Sequence, residues 1–107
     1  MAWRVRWTEP AENAVERQAA YIAQDSPRYA AVLVRDARDA ARSLRQFPRR
    51  GRIVPEENDP TLRELIVANS YRMLYRVLED EHEIWIVAFV HGARRLDHAL
   101  EEDEFLS

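Results

Sequence analysis

The chain has 107 residues, 47% of them hydrophobic, and this length and composition predict one compact domain with one core. It contains no cysteine, which excludes a disulfide framework and a zinc site built on thiolates. The first residues lack the apolar core of a signal peptide and no apolar run is long enough for a membrane helix, so we expect a cytoplasmic protein.

Charge is unevenly distributed along the chain. All 16 basic residues are arginine, and the net charge of −3 disfavours a general nucleic-acid binder. Residues 28–52 contain eight arginines and two acids, a local charge of +6, whereas residues 97–104 contain five acids and no arginine. The sequence therefore predicts a basic middle segment and an acidic tail. The planar fork of arginine suits carboxylate or phosphate partners, although arginine-rich codon usage explains the same composition without any ligand.

The first half of the chain predicts a strand followed by two helices. Residues 2–7 alternate tryptophan and valine with arginine, as in a half-buried strand. Thr8 and Ser26 are N-cap candidates, each followed closely by a proline in the first helical turn. Apolar residues then recur at helical spacing and predict helices over residues 9–24 and 27–46. Their short connection predicts an antiparallel helical hairpin.

The second half predicts a loop, three strands and a tail. Residues 53–61 contain two prolines among polar residues, which is typical of a loop. Twofold alternation predicts strands over residues 62–68, 71–78 and 84–91, and the short gaps between them suit antiparallel hairpins. The last strand is apolar on both faces, which indicates a central position in the sheet. Residues 96–107 are expected to form an acidic tail or a short helix.

These elements predict an α+β fold of two layers in a single domain over residues 1–107. The α-helical hairpin is expected to pack on an antiparallel β-sheet with a C-terminal three-strand meander. The N-terminal strand joins an edge of that sheet to bury its tryptophans, and Phe47 packs back on the core. The residues expected to be largely buried are Trp3, Trp7, Val15, Ile22, Leu33, Ala37, Leu44, Tyr75, Ile86 and Ala88.

Few groups in the sequence suit metal, cofactor or nucleophilic chemistry. His82, His91 and His98 are not spaced as metal ligands, and two glycines cannot form a phosphate-binding loop, so we expect no metal and no cofactor. The basic residues on or just after the three C-terminal predicted strands are Arg63, Arg72, Arg76, His91, Arg94 and Arg95. Such a group could hold a phosphate and supply a proton, as RNA cleavage requires. Solvated arginines paired with acids such as Glu64 or Glu79 explain the same residues without catalysis.

The sequence resembles the RelE/ParE superfamily of type II toxin–antitoxin toxins in four segments that occur in order: FPRRGRIVPE, LRELIV, YRMLYRV and IWIVAFVHGARR. The resemblance covers residues 3–95, and within the superfamily it points to the ParE-like plasmid-stabilisation proteins. It implies the fold described above, a helical hairpin on an antiparallel sheet. It also implies that a cognate antitoxin neutralises the protein. Because no apolar run is long enough to span a bilayer, we expect no membrane partner.

The resemblance implies one of two activities. ParE-like members poison DNA gyrase, whereas RelE-like members cut messenger RNA on the ribosome with basic residues of the sheet. If the chain is RelE-like, the resemblance implies that Arg63, Arg72 and His91 are catalytic, with Glu56 near a catalytic glutamate. Gly92 after the histidine, the absence of lysine and the acidic net charge depart from the RelE pattern and favour the ParE-like interpretation. A non-catalytic module that only binds its antitoxin is a third interpretation.

The antitoxin is the partner under all three interpretations. An acidic segment of the antitoxin would find forked donors on the second helix and on the basic turn that follows it. The residues expected to bind partners are Arg49, Arg50, Arg52, Arg76, Arg94 and Arg95.

Overall fold

The computed structural model describes residues 2–92, so the predicted tail over residues 96–107, with Arg94 and Arg95, lies outside the described residues. The elements found in residues 2–92 are β1 Arg4–Trp7, α1 Glu9–Ala23, α2 Pro27–Ser43, β2 Arg52–Ile53, β3 Leu62–Val67, β4 Tyr71–Leu78 and β5 Glu83–His91. The two helices form a hairpin that packs on one face of the sheet. The predicted α+β architecture of two layers is confirmed.

Both helices begin at the caps that the sequence predicts. Thr8 Oγ1 accepts a hydrogen bond from the Ala11 N–H at 3.3 Å and donates one to the Ile86 carbonyl at 3.0 Å. This buried cap therefore ties the start of α1 to the middle of β5. Ser26 Oγ accepts a hydrogen bond from the Tyr29 N–H at 3.2 Å and starts α2 in the same way.

The end of α2 differs from the prediction. The helix ends at Ser43 rather than near residue 46, because the N–H groups of the next three residues bond to carbonyls only three residues back. Leu44 is fully buried and fills the core at this end of the hairpin. The turn carries Phe47 past that position, and its side chain is 61% exposed. The expectation that Phe47 packs on the core is therefore wrong.

The sheet has the strand order β1-β5-β4-β3-β2. β3, β4 and β5 form the predicted antiparallel meander, and β5 lies inside the sheet as its apolar faces predict. β1 joins the edge as expected but runs parallel to β5, with Trp7 opposite Ile86, so the sheet is mixed. The sequence predicts a turn and a loop around residues 52–53, whereas the structure forms β2 there, paired with Arg63 and Glu64 of β3.

The two faces of the sheet bury separate apolar clusters. On the face toward the helices, which we call the helix side, the strands meet α1 and α2. Its buried strand residues are Leu65, Val67, Met73, Tyr75, Val77, Ile84, Ile86 and Phe89. On the opposite face, which we call the outer face, a smaller cluster forms. Its buried residues are Val54, Leu62, Leu74, Val87, Ala88 and Val90.

A bulge in β5 explains how one strand serves both clusters. Leu74 of β4 pairs with Ala88, but Tyr75 pairs with Ile86, so Val87 is an extra residue in β5. The bulge shifts the alternation of β5 by one position. Ile86 therefore faces the helix side while both residues that follow it face outward.

Most of the predicted core is buried, with exceptions near the margins. Trp3, Trp7 and Ile22 are only partly buried and pack against the main core. Trp3 precedes β1 and Trp7 ends it, and β1 is a strand at the edge of the sheet. Ile22 lies in the last turn of α1. Ala88 is buried as predicted, but it belongs to the outer-face cluster.

Candidate functional site

Arg72 is the centre of an ion network on the outer face. It lies on β4, opposite Ile66 of β3 and Val90 of β5, and its side chain is 9% exposed. Nε donates to one oxygen of Glu64 at 2.6 Å, and Nη1 and Nη2 donate to the two oxygens of Glu56 at 2.7 and 2.8 Å. Carboxylates thus occupy the guanidinium on two sides in the forked geometry that arginine favours.

Glu64 anchors this network from the neighbouring strand. Its side chain is 1% exposed, and its other oxygen accepts a hydrogen bond from Arg52 Nε at 2.5 Å. The charges alternate along Arg52, Glu64, Arg72 and Glu56, so the buried carboxylate is paired on both sides. Pairing on both sides offsets the cost of burying this carboxyl group. The short β2 strand places Arg52 opposite Glu64 and so completes the network.

Hydrogen bonding within the network shifts the pKa values of both partners. The bond with Arg72 lowers the pKa of Glu56, outweighing burial, which acts to raise it. The same bond is the main cause that raises the pKa of Arg72. Both groups are therefore charged at neutral pH, and the pair is a stable ion pair rather than a poised acid or base.

A second pair lies on the same face. Arg76 forms an ion pair with Asp59 through Nη1 and donates to Thr61 Oγ1 at 3.2 Å. Thr61 donates its N–H and its hydroxyl to Asp59 at 2.9 and 2.7 Å. Burial acts to raise the pKa of Asp59, but these hydrogen bonds from Thr61 and Arg76 outweigh it and lower the pKa. The loop between β2 and β3 thus sets a carboxylate against each outer-face arginine of β4.

Arg63 lies on the helix side, where it braces the basic turn. It pairs with Tyr75 across the sheet, and its Nη1 donates to the carbonyls of Gly51 and Arg49 at 2.7 and 3.3 Å. The Gly51 N–H donates to the Tyr75 hydroxyl at 2.9 Å. Burial is the main cause that raises the pKa of Tyr75, so this hydroxyl is neutral at physiological pH. Arg63 therefore has a structural role in fixing the chain between α2 and β2.

The structure does not bring the three candidates for RNA cleavage together. His91 ends β5 with its ring edge-on to Tyr71, 5.4 Å between centroids. His91 pairs with Tyr71, whereas Arg63 pairs with Tyr75. His91 and Arg63 are therefore about 13 Å apart along the strand direction and two strand spacings apart across the sheet. Arg72 points to the other face of the sheet. Among the described residues, no phosphate-sized site unites these three side chains.

The remaining predicted binding residues divide between two places. Arg49 and Arg50 lie on the exposed basic turn, where Arg49 forms an ion pair with Glu79 and lies over the Trp3 ring at 5.9 Å. Arg50 Nη1 donates to the Ser43 hydroxyl at 2.6 Å. Arg52 and Arg76 belong instead to the outer-face pairs described above. The sequence leaves open two explanations of the strand arginines, a phosphate site or pairing with acids. Arg52 and Arg76 are paired with acids.

Sequence analysis missed two residues that complete the outer face, Asp59 and Thr61. The signal was present, because an aspartate followed two residues later by threonine in a proline-containing loop is typical of a side-chain-capped turn. The pattern identifies the turn but not the strand residue that it meets. Only the pairing of Leu62 with Arg76 places the turn beside β4.

Two further structural findings concern residues 2–92. No group of histidines and carboxylates within that range is placed to hold a metal ion. No helix in that range has the length and apolar character needed to cross a bilayer.

Comparison with solved structures identifies the fold. A structure of the chromosomal ParDE toxin–antitoxin system from Pseudomonas aeruginosa is 22% identical, with a TM-score of 0.67 over 84% of this chain and 96% of that chain. The RelBE2 toxin–antitoxin complex of Mycobacterium tuberculosis is 22% identical, with a TM-score of 0.58 over 85% and 99%. A mutant of the Escherichia coli toxin RelE in the free state is 12% identical, with a TM-score of 0.64 over 96% and 95%. At these identities the likeness establishes the fold alone.

The family is established by sequence. No curated protein matches the chain significantly. Residues 5–96, however, match the family model of the ParE toxin of type II toxin–antitoxin system, parDE, and this match spans most of the chain. It includes the helical hairpin, the basic turn and the whole meander. The chain therefore belongs to the ParE toxin family of type II toxin–antitoxin systems.

Proposed function

We propose that this toxin acts on DNA gyrase rather than by cutting messenger RNA, and that a cognate antitoxin holds it inactive. Membership of the ParE family makes gyrase the first target to test. The state of Arg72 is the observation that carries the choice between the two targets.

All three guanidinium nitrogens of Arg72 already face carboxylate oxygens of Glu56 or Glu64. A phosphate could bind only after displacing these carboxylates, and Glu64, which is nearly inaccessible to solvent, would then keep only Arg52 as a partner. Breaking a buried ion pair is costly, about 3–5 kcal/mol when one partner is lost. Because Arg52, Arg72 and Arg76 pair with Glu56, Glu64 and Asp59, these ion pairs also give an RNA backbone no net positive charge to bind on this face. These features disfavour capture of a scissile phosphate there.

The separation of the remaining candidates supports the same proposal. A general acid or base must lie within about 3 Å of the group that it serves, directly or through one water. His91 and Arg63 lie on the helix side of the sheet, and Arg72 lies on the outer face. The acidic net charge of −3 is also unfavourable for binding a ribosome–messenger complex.

An antitoxin partner is supported by the family and by the similar structures. The Pseudomonas and Mycobacterium structures are described as toxin–antitoxin assemblies. The exposed arginines of the basic turn offer this chain a surface for an acidic partner. We therefore expect the product of the adjacent gene to bind the purified protein.

The test is expression of the chain alone in bacteria, followed by two assays with purified protein. Filamentation with a DNA-damage response, together with gyrase-dependent double-strand breaks in plasmid DNA, is the expected result. Rapid translation arrest with cut messages on the ribosome would instead establish the RelE-like alternative. An absence of any growth effect from the folded protein would favour the non-catalytic binding module.

A further inference from the structure

The turn after α2 exposes an aromatic residue in basic surroundings. Phe47 is 61% exposed although the segment around it is well fixed. The Phe47 N–H bonds to the Ser43 carbonyl at 3.2 Å, and the Arg50 N–H bonds to the Phe47 carbonyl at 3.2 Å. The backbone that carries this large apolar ring is therefore ordered before binding, so less backbone entropy is lost when a partner docks on it.

The charge around this ring is strongly positive. Residues 42–52 contain five arginines and no acid. Two acids reach in from outside this segment, since Asp39 pairs with Arg42 at 3.0 Å and Glu79 pairs with Arg49. Arg45 is exposed and makes no ion pair with any residue that the structure describes. Arg50 donates to the Ser43 hydroxyl. Donors therefore remain for an incoming carboxylate.

Two shallow grooves flank Phe47 and give the surface its shape. One is lined by residues 46–50, and the other is lined by Ala2, Asp39, Arg42, Arg45 and Phe47, among others. The backbone just after the first groove is anchored to the sheet, because the Gly51 N–H donates to the Tyr75 hydroxyl and the Gly51 carbonyl accepts from Arg63. We call the set Arg42, Arg45, Phe47, Arg49 and Arg50 the Phe47 surface.

We propose that the Phe47 surface is the docking site for an acidic segment of the antitoxin that carries an aromatic or aliphatic side chain. The apolar side chain would lie against Phe47 in a groove, and the flanking carboxylates would accept hydrogen bonds from the arginines. The proposal rests on the proposed function for the existence of an antitoxin, and it adds the surface and the chemistry of recognition.

A protein segment fits this surface better than a nucleic acid does. Attraction of a long phosphate backbone depends on a field that extends over many charges, and the whole chain carries −3. A short peptide meets only the local arginines. Aromatic side chains, phenylalanine included, are in addition enriched at protein interfaces.

The first experiment uses a short fluorescent peptide of glutamates flanking one phenylalanine, and measures its anisotropy with the full chain. Phe47→Ala and Arg45→Glu are each expected to weaken binding by about tenfold or more, since an anchor residue dominates such interfaces. Matched controls are Tyr29→Ala and Arg28→Glu, which change an exposed aromatic and an exposed arginine at the other end of α2. These controls should bind the peptide like the wild type, and equal losses in all four variants would overturn the proposal.

The second experiment repeats the measurement with the antitoxin encoded beside the gene. Binding to the wild type and at least tenfold weaker binding to Phe47→Ala is the expected result. Antitoxin binding that is unchanged in Phe47→Ala and Arg45→Glu would overturn the docking site while leaving the proposed function intact. Failure of the antitoxin to bind any form would instead remove the antitoxin part of the proposed function, and the peptide data would still report on the surface.

Two outcomes would assign the surface to another occupant and so overturn the proposal. In the first, single-stranded RNA competes with the peptide for the protein, and the Phe47→Ala variant no longer binds that RNA. In the second, the peptide binds only after the acidic residues 97–107 are deleted, which would make the chain's own segment the occupant. Circular dichroism of every variant establishes that loss of binding is not loss of fold.

Discussion

At Gly51 the basic turn meets strands β3 and β4. Its N–H bonds to the Tyr75 hydroxyl, and its carbonyl accepts from Arg63. A Cβ at this position would lie 2.4 Å from the Glu64 carbonyl oxygen and 2.7 Å from the Tyr75 hydroxyl. The close approach of the basic turn to β3 therefore requires glycine for lack of space rather than for backbone freedom.

We expect Gly51→Ala to lower the free energy of unfolding by about 1–3 kcal/mol, the usual cost of forcing an extra carbon into a filled space. Urea denaturation measures this change. Gly92→Ala is the matched control, because its nearest backbone atom would be 3.2 Å away rather than 2.4 Å. Equal unfolding midpoints for the two variants would show that the turn can move aside.

Glu56 makes the stability depend on pH. Its pKa in the folded protein is lowered by the hydrogen bond with Arg72, below the ordinary value of 4.5. Near that pH the unfolded chain binds more protons than the folded one. Glu56 therefore stabilises the folded protein above pH 4.5, and this stabilisation is lost as the pH falls through the folded-state pKa.

Glu56→Gln is therefore expected to destabilise the protein at neutral pH, and its stability should approach that of the wild type as the pH falls below 4.5. Denaturation midpoints over a pH series give the comparison. Glu57→Gln, the next residue in the chain, is the matched control and should destabilise the protein at neutral pH less than Glu56→Gln does, because Glu56 rather than Glu57 pairs with Arg72. A constant difference between Glu56→Gln and the wild type at every pH would contradict the assignment of the ion pair.

β5 is the element on which the two layers depend. It pairs with β1 on one side and β4 on the other, and it contacts α1. Its bulge lets it supply apolar side chains to both faces of the sheet. At its centre, Ile86 is fully buried and its carbonyl accepts bonds from both the N–H and the hydroxyl of Thr8.

Ile86→Ala should lower the free energy of unfolding by about 2–5 kcal/mol, because it would leave a cavity where β5 contacts the N-terminal cap of α1. The matched control is Ile66→Ala on β3, whose side chain is 59% exposed and whose loss should change stability by no more than about 0.5 kcal/mol. Thermal or urea denaturation would reveal the difference. Similar losses in both variants would mean that the outer surface of β3 is covered in solution.

At the scale of the whole molecule, the paired arginines, the exposed arginines and the histidine His91 lie in three different places. The outer face pairs its arginines with carboxylates, and the basic turn leaves some of its arginines open to solvent. His91 lies apart from both, at the end of β5. This arrangement supports recognition of other proteins more readily than assembly of a cleavage site.

His91→Ala should therefore leave toxicity and gyrase-dependent DNA breakage close to wild type. If the protein were a nuclease with His91 as acid or base, the same change would slow message cleavage by about 10²–10⁴-fold. Arg72→Ala is the informative companion, because it removes one of the two arginines that pair with the buried Glu64 and should abolish toxicity through loss of fold. Cell growth, RNA cleavage on ribosomes and circular dichroism of both variants distinguish these cases.

Much of the local structure could be predicted because its causes are local. Thr8 and Ser26 start the helices through side-chain caps only three residues long, and the twofold alternation of β4 requires no partner to be recognised. The central position of β5 also followed from its own composition. Family membership was predictable for a related reason, since four short segments retain their order along the chain.

The sequence by itself thus determined the elements, their order and the α+β class, because periodicity and capping act over a few neighbouring residues. Only the tertiary structure decided which arginines share a face, because Arg63 and Arg72 are assigned by strand register and not by spacing. It also decided that Phe47 is exposed, that Arg52 forms part of a strand, and that β5 carries a bulge. Each of these features depends on contacts between segments far apart in the chain, and the sequence of one segment alone does not determine the free energy of such a contact.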